Sequence, residues 1–159
     1  MSKEGTIYRI SGPVVTAIGM NASMFDIVRV GDEGLMGEVI ELHGEKAIIQ
    51  VYEDTSGIRP GEPVTNTGDT LSVSLGPGLL TEIYDGIQRP LATLEEIMGV
   101  FITRGVDADG INMEKIWTFE ATAAEGDRVE SGQVIGSVQE TETIAHKIMV
   151  PPGKGGVIT

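Results

Sequence analysis

The clearest fold signal is a pair of short apolar runs joined by a polar turn. Residues 37–42 read GEVIEL and residues 46–53 read KAIIQVYE, with His43, Gly44 and Glu45 between them. Both runs alternate or are rich in β-branched residues, and Gly44 supplies the conformational freedom that a tight turn needs. The stretch from 37 to 53 therefore predicts a β-hairpin.

Similar short runs lie on both sides of this hairpin. A strand near Ile7 is interrupted by Gly12-Pro13 and resumes at Val14-Val15, while residues 25–30 alternate and are closed by a glycine. Val64 and residues 71–75 supply the last short runs. About six strands in roughly 75 residues, with turns every 8–12 residues, predict a small β-barrel or β-sandwich.

The periodicity changes after Gly76-Pro77-Gly78. Apolar residues recur at helical spacing over 79–87, which predicts a helix that Pro90 ends. A second short helix is predicted at 93–96, where the threonine would be the N-cap and the second glutamate would complete a capping box. Residues 105–110 are predicted to be a polar linker or turn.

The last third of the chain returns to a β pattern with closely spaced glycines. A strand is predicted to start within 116–119, and GDRV at 126–129 is followed by GQVIGSV at 132–138. Tight turns at the first glycine of each run would separate very short strands. This pattern resembles the flattened β-barrel of biotinyl and lipoyl carrier domains.

A carrier domain presents a lysine at the tip of the hairpin that follows this pattern. Here the tip, residues 139–143, reads QETET, and Lys147 lies beyond it, next to the strand that begins at Ile148. The carrier architecture is therefore predicted without the carrier chemistry. Because the chain stops at Thr159 inside what should be another strand, we expect this barrel to be incomplete and the chain to be part of a longer protein.

Composition narrows the possible functions. The 159 residues include 24 Asp and Glu against 11 Lys and Arg, a net charge of −13 at pH 7, which disfavours nucleic acid and anionic membranes as partners. With no cysteine, the chain has no disulfide framework, thiol catalysis or thiolate metal site. We find no signal peptide or membrane-spanning run, and expect a cytoplasmic protein with no direct membrane insertion.

Known catalytic patterns are not matched. Residues 152–156, PGKGG, lack the spacing and the Ser/Thr of a phosphate-binding P-loop, and residues 107–110 start a calcium-loop pattern that later positions break. His43 and His146 have no metal-ligand spacing. Residues 76–78 could direct N–H groups at an anion, but we favour a simple change of chain direction. We predict no catalytic, cofactor-binding or metal-binding residue in these 159 residues.

Four stretches in the first 91 residues together resemble one protein family. They are ISGPVV (10–15), QVYEDTSG (50–57), LGPGLL (75–80) and IYDGIQRPL (83–91). In this order and spacing they resemble the N-terminal part of the catalytic A subunit of A-type and V-type rotary ATPases, and most closely the archaeal A-type synthases. Residues 117–119 (WTF) and 146–152 (HKIMVPP) resemble the insertion, or bulge, of that protein. Residues 107–112 and 120–121 depart from the family pattern, which affects the expected loop conformation there.

The resemblance implies a division into three segments. Residues 1–72 would be an N-terminal six-stranded β-barrel that joins the barrels of neighbouring B subunits in an alternating A/B hexamer. Residues 73–110 would be a short connector with helix, the start of the nucleotide-binding domain. Residues 111–159 would be most of the insertion, which would contact peripheral stalk subunits.

The resemblance also implies the activity of a parent protein. This parent would couple ATP synthesis or hydrolysis to the transport of protons or sodium ions, as part of a cytoplasmic head peripheral to the cell membrane. Mg-ATP or ADP would be its cofactor, but the P-loop and catalytic residues would lie beyond Thr159. We therefore expect the 159-residue chain alone to need no cofactor and to hydrolyse no ATP.

Two other interpretations of the chain remain open at this point. It could be a stand-alone β-barrel interaction module. It could also be a carrier-type domain without its lysine, an alternative that the lysine-free hairpin tip disfavours. For the insertion we hypothesise that an acidic surface docks a basic stalk partner, against the alternative of a solvated face. That surface comprises Glu120, Glu125, Asp127 and Glu130. The acidic run at 52–55 is interpreted as a solvated face only.

Overall fold

The structure is a computed structural model that describes residues 3–99 and 103–159. The described part of the chain is mainly β, with eleven strands, one short α-helix and one 3-10 turn. None of its helices is long and apolar enough to cross a membrane. The mainly-β fold class predicted from the sequence is confirmed.

The chain forms two compact units that are interleaved in sequence. Unit 1 contains Met1–Val73 and Leu94–Asp107, and unit 2 contains Ser74–Thr93 and Ala108–Thr159. Residues 73–110, predicted as one connector, are therefore shared between the two units. The assignment of the three segments to a crown barrel, a nucleotide-binding domain and an insertion stays a prediction.

Six antiparallel strands of unit 1 close into a barrel. They are β1 (Glu4–Ser11), β2 (Val14–Ile18), β3 (Asp26–Val30), β4 (Leu35–His43), β5 (Lys46–Val51) and β6 (Pro63–Thr70). Their order around the barrel is β1-β2-β5-β4-β3-β6, and β6 pairs with β1 to complete the ring. Closure leaves no unpaired sheet edge in the barrel. Of the two predicted architectures, the barrel is the one observed.

The barrel core follows from the alternation of side chains along the strands. In β5, Ala47, Ile49 and Val51 point inward, while the residues between them are exposed or half-buried. The same alternation in β2 buries Val15 and Ala17. The main core cluster consists of Ile7, Val15, Ala17, Met20, Val28, Val30, Leu35, Val39, Ala47, Ile49, Val51, Ile58 and Val64. Burial of these aliphatic side chains is the main favourable term in folding the barrel.

The predicted hairpin at 37–53 is present as β4 and β5. Gly44 forms the turn with a φ of 57°, in the left-handed region that favours glycine. The register shifts between Val39 and Glu41, where a bulge bends β4. The predicted strand at 71–75 is not formed, and at Ser74 the backbone N–H and carbonyl are bonded by the Gln88 side chain.

The helix predicted over 79–87 is wrong. Only Leu79–Thr81 form a single 3-10 turn. Beyond it, the Asp85 carboxylate accepts backbone N–H groups from Ile87 at 3.0 Å and Arg89 at 2.8 Å. This local side-chain bonding competes with helix formation, which the apolar spacing alone does not reveal.

The second predicted helix exists but has different limits. Helix α1 covers Leu91–Met98, so it begins directly after Pro90, and Thr93 lies inside it rather than at its N-cap. Proline is compatible with a helix start because it lacks an N–H that would need a partner there. Gly99 follows with a φ of 71°, and its N–H donates to the Glu95 carbonyl at 2.7 Å. This is a typical glycine helix terminus.

Unit 2 contains five short strands in two small sheets. The strands are β7 (Phe119–Ala121), β8 (Arg128–Val129), β9 (Val134–Gln139), β10 (Ala145–Met149) and β11 (Gly156–Val157). One sheet has the order β10-β9-β7 and the other pairs β11 with β8. The predicted turns are present, with φ values of 92° at Gly126 and 80° at Gly132. The first strand starts at Phe119, later than predicted.

Candidate functional site

Within residues 3–99 and 103–159, no group of three or more His, Asp or Glu side chains is placed to hold a metal ion. His43 lies 2.7 Å from the carboxylate of Glu41, and both side chains are exposed. A cavity of about 280 Å³ lies in unit 1 and is lined in part by Met20, Leu42 and Lys46. Its lysine ammonium stands 4.8 Å from the centre of the Tyr8 ring, a cation–π contact. The features with defined geometry are instead three hydrogen-bonded networks.

The first network joins the segment after α1 to the loops of the barrel. Arg104 Nη1 donates to the carbonyls of Asp54, at 3.0 Å, and Ser56. Its Nη2 donates to Glu33 Oε1 at 2.9 Å. One planar guanidinium thus binds three residues of the barrel loops at once. The predicted polar linker therefore starts as a segment bound to unit 1.

The residues next to Arg104 extend this attachment. The Gly105 N–H donates to Glu53 Oε2 at 2.8 Å, and Arg29 Nη2 pairs with the Asp107 carboxylate at 2.5 Å. Gly105 has a φ of 69°, and a Cβ there would overlap the Glu33 carbonyl. Only glycine fits this close approach. We call residues 104–107 the strap.

The acidic run at 52–55 is part of this arrangement and not only a solvated face. Glu53 receives the strap N–H of Gly105, and Asp54 Oδ1 accepts the backbone N–H and the hydroxyl of Ser56 at 3.0 and 2.8 Å. The Thr55 hydroxyl donates to the Gly12 carbonyl at 2.7 Å. The Ser56 hydrogen bonds hold the pKa of Asp54 below its usual value.

The second network explains the composition of the YDGIQRPL run in unit 2. Arg89 Nε donates to Asp85 Oδ2 at 2.7 Å, and the same carboxylate binds two backbone N–H groups of its own loop. Gln88 adopts a φ of 63° and bonds both the N–H and the carbonyl of Ser74, each at 2.7 Å. A Cβ on Gly110 would lie 2.8 Å from the Gln88 amide carbon. The run is therefore a loop stabilised by its own hydrogen bonds, which we call the braced loop, and its Gln88 side chain also binds the preceding segment at Ser74.

The third network surrounds Glu140, whose side chain is fully buried. Its Oε1 accepts N–H groups from Gly78 at 2.7 Å and Leu80 at 3.0 Å, and Oε2 lies 3.1 Å from His146 Nδ1. Burial alone would raise the pKa of Glu140, but the hydrogen bonds from Leu80, Gly78 and His146 outweigh it and lower that pKa. The turn at 76–78, interpreted above as a simple change of direction, does direct N–H groups at an anion, and that anion is the chain's own glutamate.

Sequence reasoning missed Glu140 because it lies in an acidic tip with no recognisable motif. The available signal was the pairing of a glycine-rich turn, whose N–H groups need an acceptor, with an acidic hairpin loop.

The structure also bears on the carrier interpretation. Lys147 pairs with Ser137 within the β9–β10 ladder, so it is a strand residue and not at the hairpin tip. Residues 152–155 form a turn and a short loop that lead into β11, which begins at Gly156.

Two family models match the chain. The "ATP synthase alpha/beta family, beta-barrel domain" matches residues 7–68, and the "ATPsynthase alpha/beta subunit barrel-sandwich domain" matches residues 108–159. The first match coincides with the closed barrel, and the second coincides with the strands of unit 2. The chain belongs to the ATP synthase alpha/beta family.

Curated relatives show which branch of the ATP synthase alpha/beta family the chain resembles. It is 62% identical over 159 residues to the A subunit of the A-type ATP synthase of Methanosarcina barkeri, covering 100% of this chain and 28% of that protein. It is 58% identical to the corresponding A-type synthase protein from Natronomonas pharaonis, covering 100% of this chain and 27% of that protein. The chain thus spans just over a quarter of the length of these relatives.

Solved structures of type III secretion ATPases share part of the fold. The assembled EscN from enteropathogenic E. coli matches with a TM-score of 0.50 and 27% identity, covering 54% of this chain and 21% of that chain. EscN in complex with its central stalk EscO matches with a TM-score of 0.51, at the same identity and coverage. These structures therefore share a fold with about half of the chain.

Membership of the ATP synthase alpha/beta family gives the three networks a context. The stretches 50–57, 75–80 and 83–91, on which the resemblance rested, supply most of the residues that hold the strap, the Glu140 contact and the braced loop. In this chain these stretches hold the strap and the loops of unit 2 in place. The four acidic residues proposed for docking, Glu120, Glu125, Asp127 and Glu130, are all exposed.

Proposed function

We propose that this chain is the N-terminal assembly segment of the catalytic A subunit of an A-type ATP synthase. The parent protein would couple ATP synthesis or hydrolysis to the transport of protons or sodium ions, in a cytoplasmic head peripheral to the membrane. The observation that carries the proposal is the 62% identity along all 159 residues to the Methanosarcina barkeri protein. The closed barrel in a matching family domain supports the same conclusion.

In this proposal the barrel joins B subunits in an alternating hexamer. Exposed apolar side chains on unit 1, among them Tyr8 at 55% and Phe25 at 57%, support an interface there, because a partner would cover them. Phe25 also has a φ of 69°, which is costly for an aromatic residue. A side chain kept exposed on a strained backbone is better explained by binding than by stability of the barrel.

Association with a B subunit tests the assembly role. We expect the chain and a purified B subunit of an archaeal A-type synthase to form a complex by native mass spectrometry. Phe25→Asn should weaken it while keeping or raising chain stability, since asparagine tolerates a positive φ. Met113→Asn, at an exposed apolar position of unit 2, is the matched control and should bind as the unmodified chain does. No complex at any concentration tested would contradict the assembly role.

The proposal assigns ATP chemistry to regions other than these 159 residues. The parent would use Mg-ATP or ADP, with a P-loop lysine and a metal ion to stabilise phosphoryl transfer. We expect the purified chain to hydrolyse Mg-ATP no faster than a buffer blank. Turnover that depends on magnesium and survives repurification would show that this assignment is wrong.

We further propose that unit 2 contacts the peripheral stalk through its acidic surface. Exposure of Glu120, Glu125, Asp127 and Glu130 supports this, although Asp127 Oδ2 also accepts the Ala124 N–H at 2.8 Å in its turn. Charge attraction between exposed groups is screened by salt, so stalk binding should weaken as ionic strength rises.

A pair of double variants tests the acidic surface. Glu120→Gln with Glu125→Gln should slow association with purified stalk subunits, measured by surface plasmon resonance. Glu45→Gln with Glu95→Gln removes the same charge from exposed positions of unit 1 and should have little effect. Equal effects of the two pairs, or binding that is insensitive to salt, would refute electrostatic docking at this surface.

A further inference from the structure

The position of Glu140 is unusual for a charged residue in a hairpin loop. It directly follows β9, yet its side chain is 0% exposed. Burial of an ionised carboxylate is costly unless hydrogen bonds replace its water. Both oxygens have partners, namely the Gly78 and Leu80 N–H groups on one and His146 on the other. The acceptor capacity of the carboxylate is thus used on two separate elements.

The turn at 76–81 depends on this carboxylate as the hydrogen-bond acceptor for two of its backbone N–H groups. The first N–H groups of a helical turn have no partner within the turn. Gly78 is the N-cap of the 3-10 turn, with a φ of 107° and no side-chain cap of its own. Glu140, 62 residues away in sequence from Gly78, supplies the missing acceptor.

The β9–β10 hairpin in turn holds Glu140 in place. The Glu140 N–H donates to the Ile144 carbonyl at 3.0 Å, and the Ile144 N–H donates to the Thr141 hydroxyl at 3.2 Å. His146 belongs to β10, where it pairs with Val138. Because a carboxylate only accepts, His146 Nδ1 must carry the proton in this contact. The hairpin therefore fixes both sides of the carboxylate.

We propose that Glu140 is a conformational latch within unit 2. Its carboxylate joins the 76–81 turn to the β9–β10 hairpin so that the two elements open together rather than separately. The latch rests on contacts inside unit 2 and does not depend on the proposed assembly role. Loss of the carboxylate leaves two N–H groups without an acceptor and removes the contact to His146, so both elements lose their closed form.

The charges around the latch set its dependence on pH. His146 faces Glu140 from β10, and the charge of Glu140 also acts on Tyr84 in the segment after the turn. Burial, followed by the charges of Glu82 and Glu140, raises the pKa of Tyr84. The pKa of Glu140 is lowered, so the latch is complete above the ordinary glutamate pKa and opens as pH falls through the lowered value in the folded chain.

Amide hydrogen exchange on the 159-residue chain tests the latch. In Glu140→Ala, exchange at Gly78 and Leu80 should accelerate about 10- to 100-fold, the range for hydrogen bonds to a charged group. The amides of residue 140 and of Ile144 in the hairpin should accelerate by a similar factor. Glu142→Ala, an exposed glutamate in the same loop, is the matched control and should stay within about twofold of the unmodified chain.

Two exchange results would overturn the latch. One is unchanged exchange at Gly78 and Leu80 in a folded Glu140→Ala variant. The other is faster exchange at the turn with no change in the hairpin, since coupled elements must respond together. If Glu140→Ala does not fold, the unmodified chain still gives a test by NMR titration.

That titration follows the Glu140 carboxyl carbon and the Gly78 and Leu80 amide protons as pH falls. The latch requires one shared midpoint, below the ordinary glutamate pKa of 4.5. Separate midpoints, or a shared midpoint at or above the ordinary value, would overturn it. Neither result affects the B-subunit and stalk experiments, so the latch and the assembly role can fail independently.

Discussion

Replacing Gly37 with alanine tests how tightly the barrel is packed. Gly37 lies in β4 opposite Val51, and its φ is not in the left-handed region, so alanine is acceptable to the backbone itself. A Cβ at this position would lie 2.8 Å from Ile49 Cγ2 and 2.9 Å from the Gln50 carbonyl oxygen. The effect of Gly37→Ala is therefore purely one of space.

The expected cost follows from these distances. Carbon atoms in contact are ordinarily about 3.5–4.0 Å apart, so the new Cβ is at least about 0.7 Å too close to Ile49. Ile49 is fully buried, and Gln50 belongs to a strand paired on both sides, so neither can move freely. Overpacking of this kind costs about 1–3 kcal/mol, and the loss of glycine freedom in the unfolded chain offsets about 0.4–1 kcal/mol. Because neither neighbour can move freely, the cost lies in the upper half of the first range, and we expect a net destabilisation of about 1–2 kcal/mol.

Urea unfolding followed by circular dichroism measures this change. With a slope of about 2 kcal/mol per molar urea, the midpoint should fall by about 0.5–1 M. Gly86→Ala is the matched control, because a Cβ at Gly86 would have no other atom within 4 Å and the residue has no positive φ. Its midpoint should stay the same or rise slightly.

A double-mutant cycle gives the decisive result. Ile49→Ala removes the atom that the new Cβ meets, so its cost should be smaller in the Gly37→Ala background by about 0.5–3 kcal/mol, the range for residues in contact. Additive effects of the two substitutions, or a Gly37→Ala chain as stable as Gly86→Ala, would refute the packing argument.

Three further predictions concern single positions. Gly136→Ala should destabilise unit 2 by about 1–3 kcal/mol in thermal unfolding, because its Cβ would overlap the Phe119 ring, whereas Gly156→Ala, with open space around it, should not. Burial and the hydrogen bond to Glu38 raise the pKa of Tyr52 to about 12. Phenolate absorbance measured against pH should therefore show Tyr52 ionising near that value. The contribution of protonated Tyr52 to the stability of the fold should be lost as pH rises towards it. Burial would raise the pKa of Asp85, but hydrogen bonds from its own loop outweigh burial and lower that pKa. The contribution of ionised Asp85 to stability should therefore vanish only as pH falls below the ordinary aspartate pKa of 3.8. A midpoint at or above 3.8 for the Asp85 carboxyl carbon in an NMR titration would contradict this.

Local patterns were sufficient for the barrel but not for the connector. Alternation in residues 25–30, the β-branched run at 46–53 and the glycine turns predicted strands that the structure contains, since side chains on a strand alternate between core and solvent. Over 79–87 the apolar spacing favoured a helix, yet the Asp85 carboxylate satisfies the backbone differently. Hydrogen bonding by one polar side chain outweighed periodicity there.

The candidate sites were predicted less completely than the fold. The acidic run at 52–55 was visible in the sequence, but its role in holding the strap was not, because Arg104 comes about fifty residues later in the chain. The 76–78 turn was recognised as able to face an anion, but no pattern connected it with Glu140. The absence of a catalytic residue in this chain remains a prediction.

By itself the sequence determined the strand pattern, the closely spaced turns and the family, since these depend on neighbouring residues and on the order of short motifs. Only the tertiary structure decided which distant groups meet. Arg104 and Glu33 are 71 positions apart, and Glu140 and Gly78 are 62 apart. Such contacts form because a buried or half-buried charge must find partners once water is removed, and the closed fold alone determines which partners are within reach.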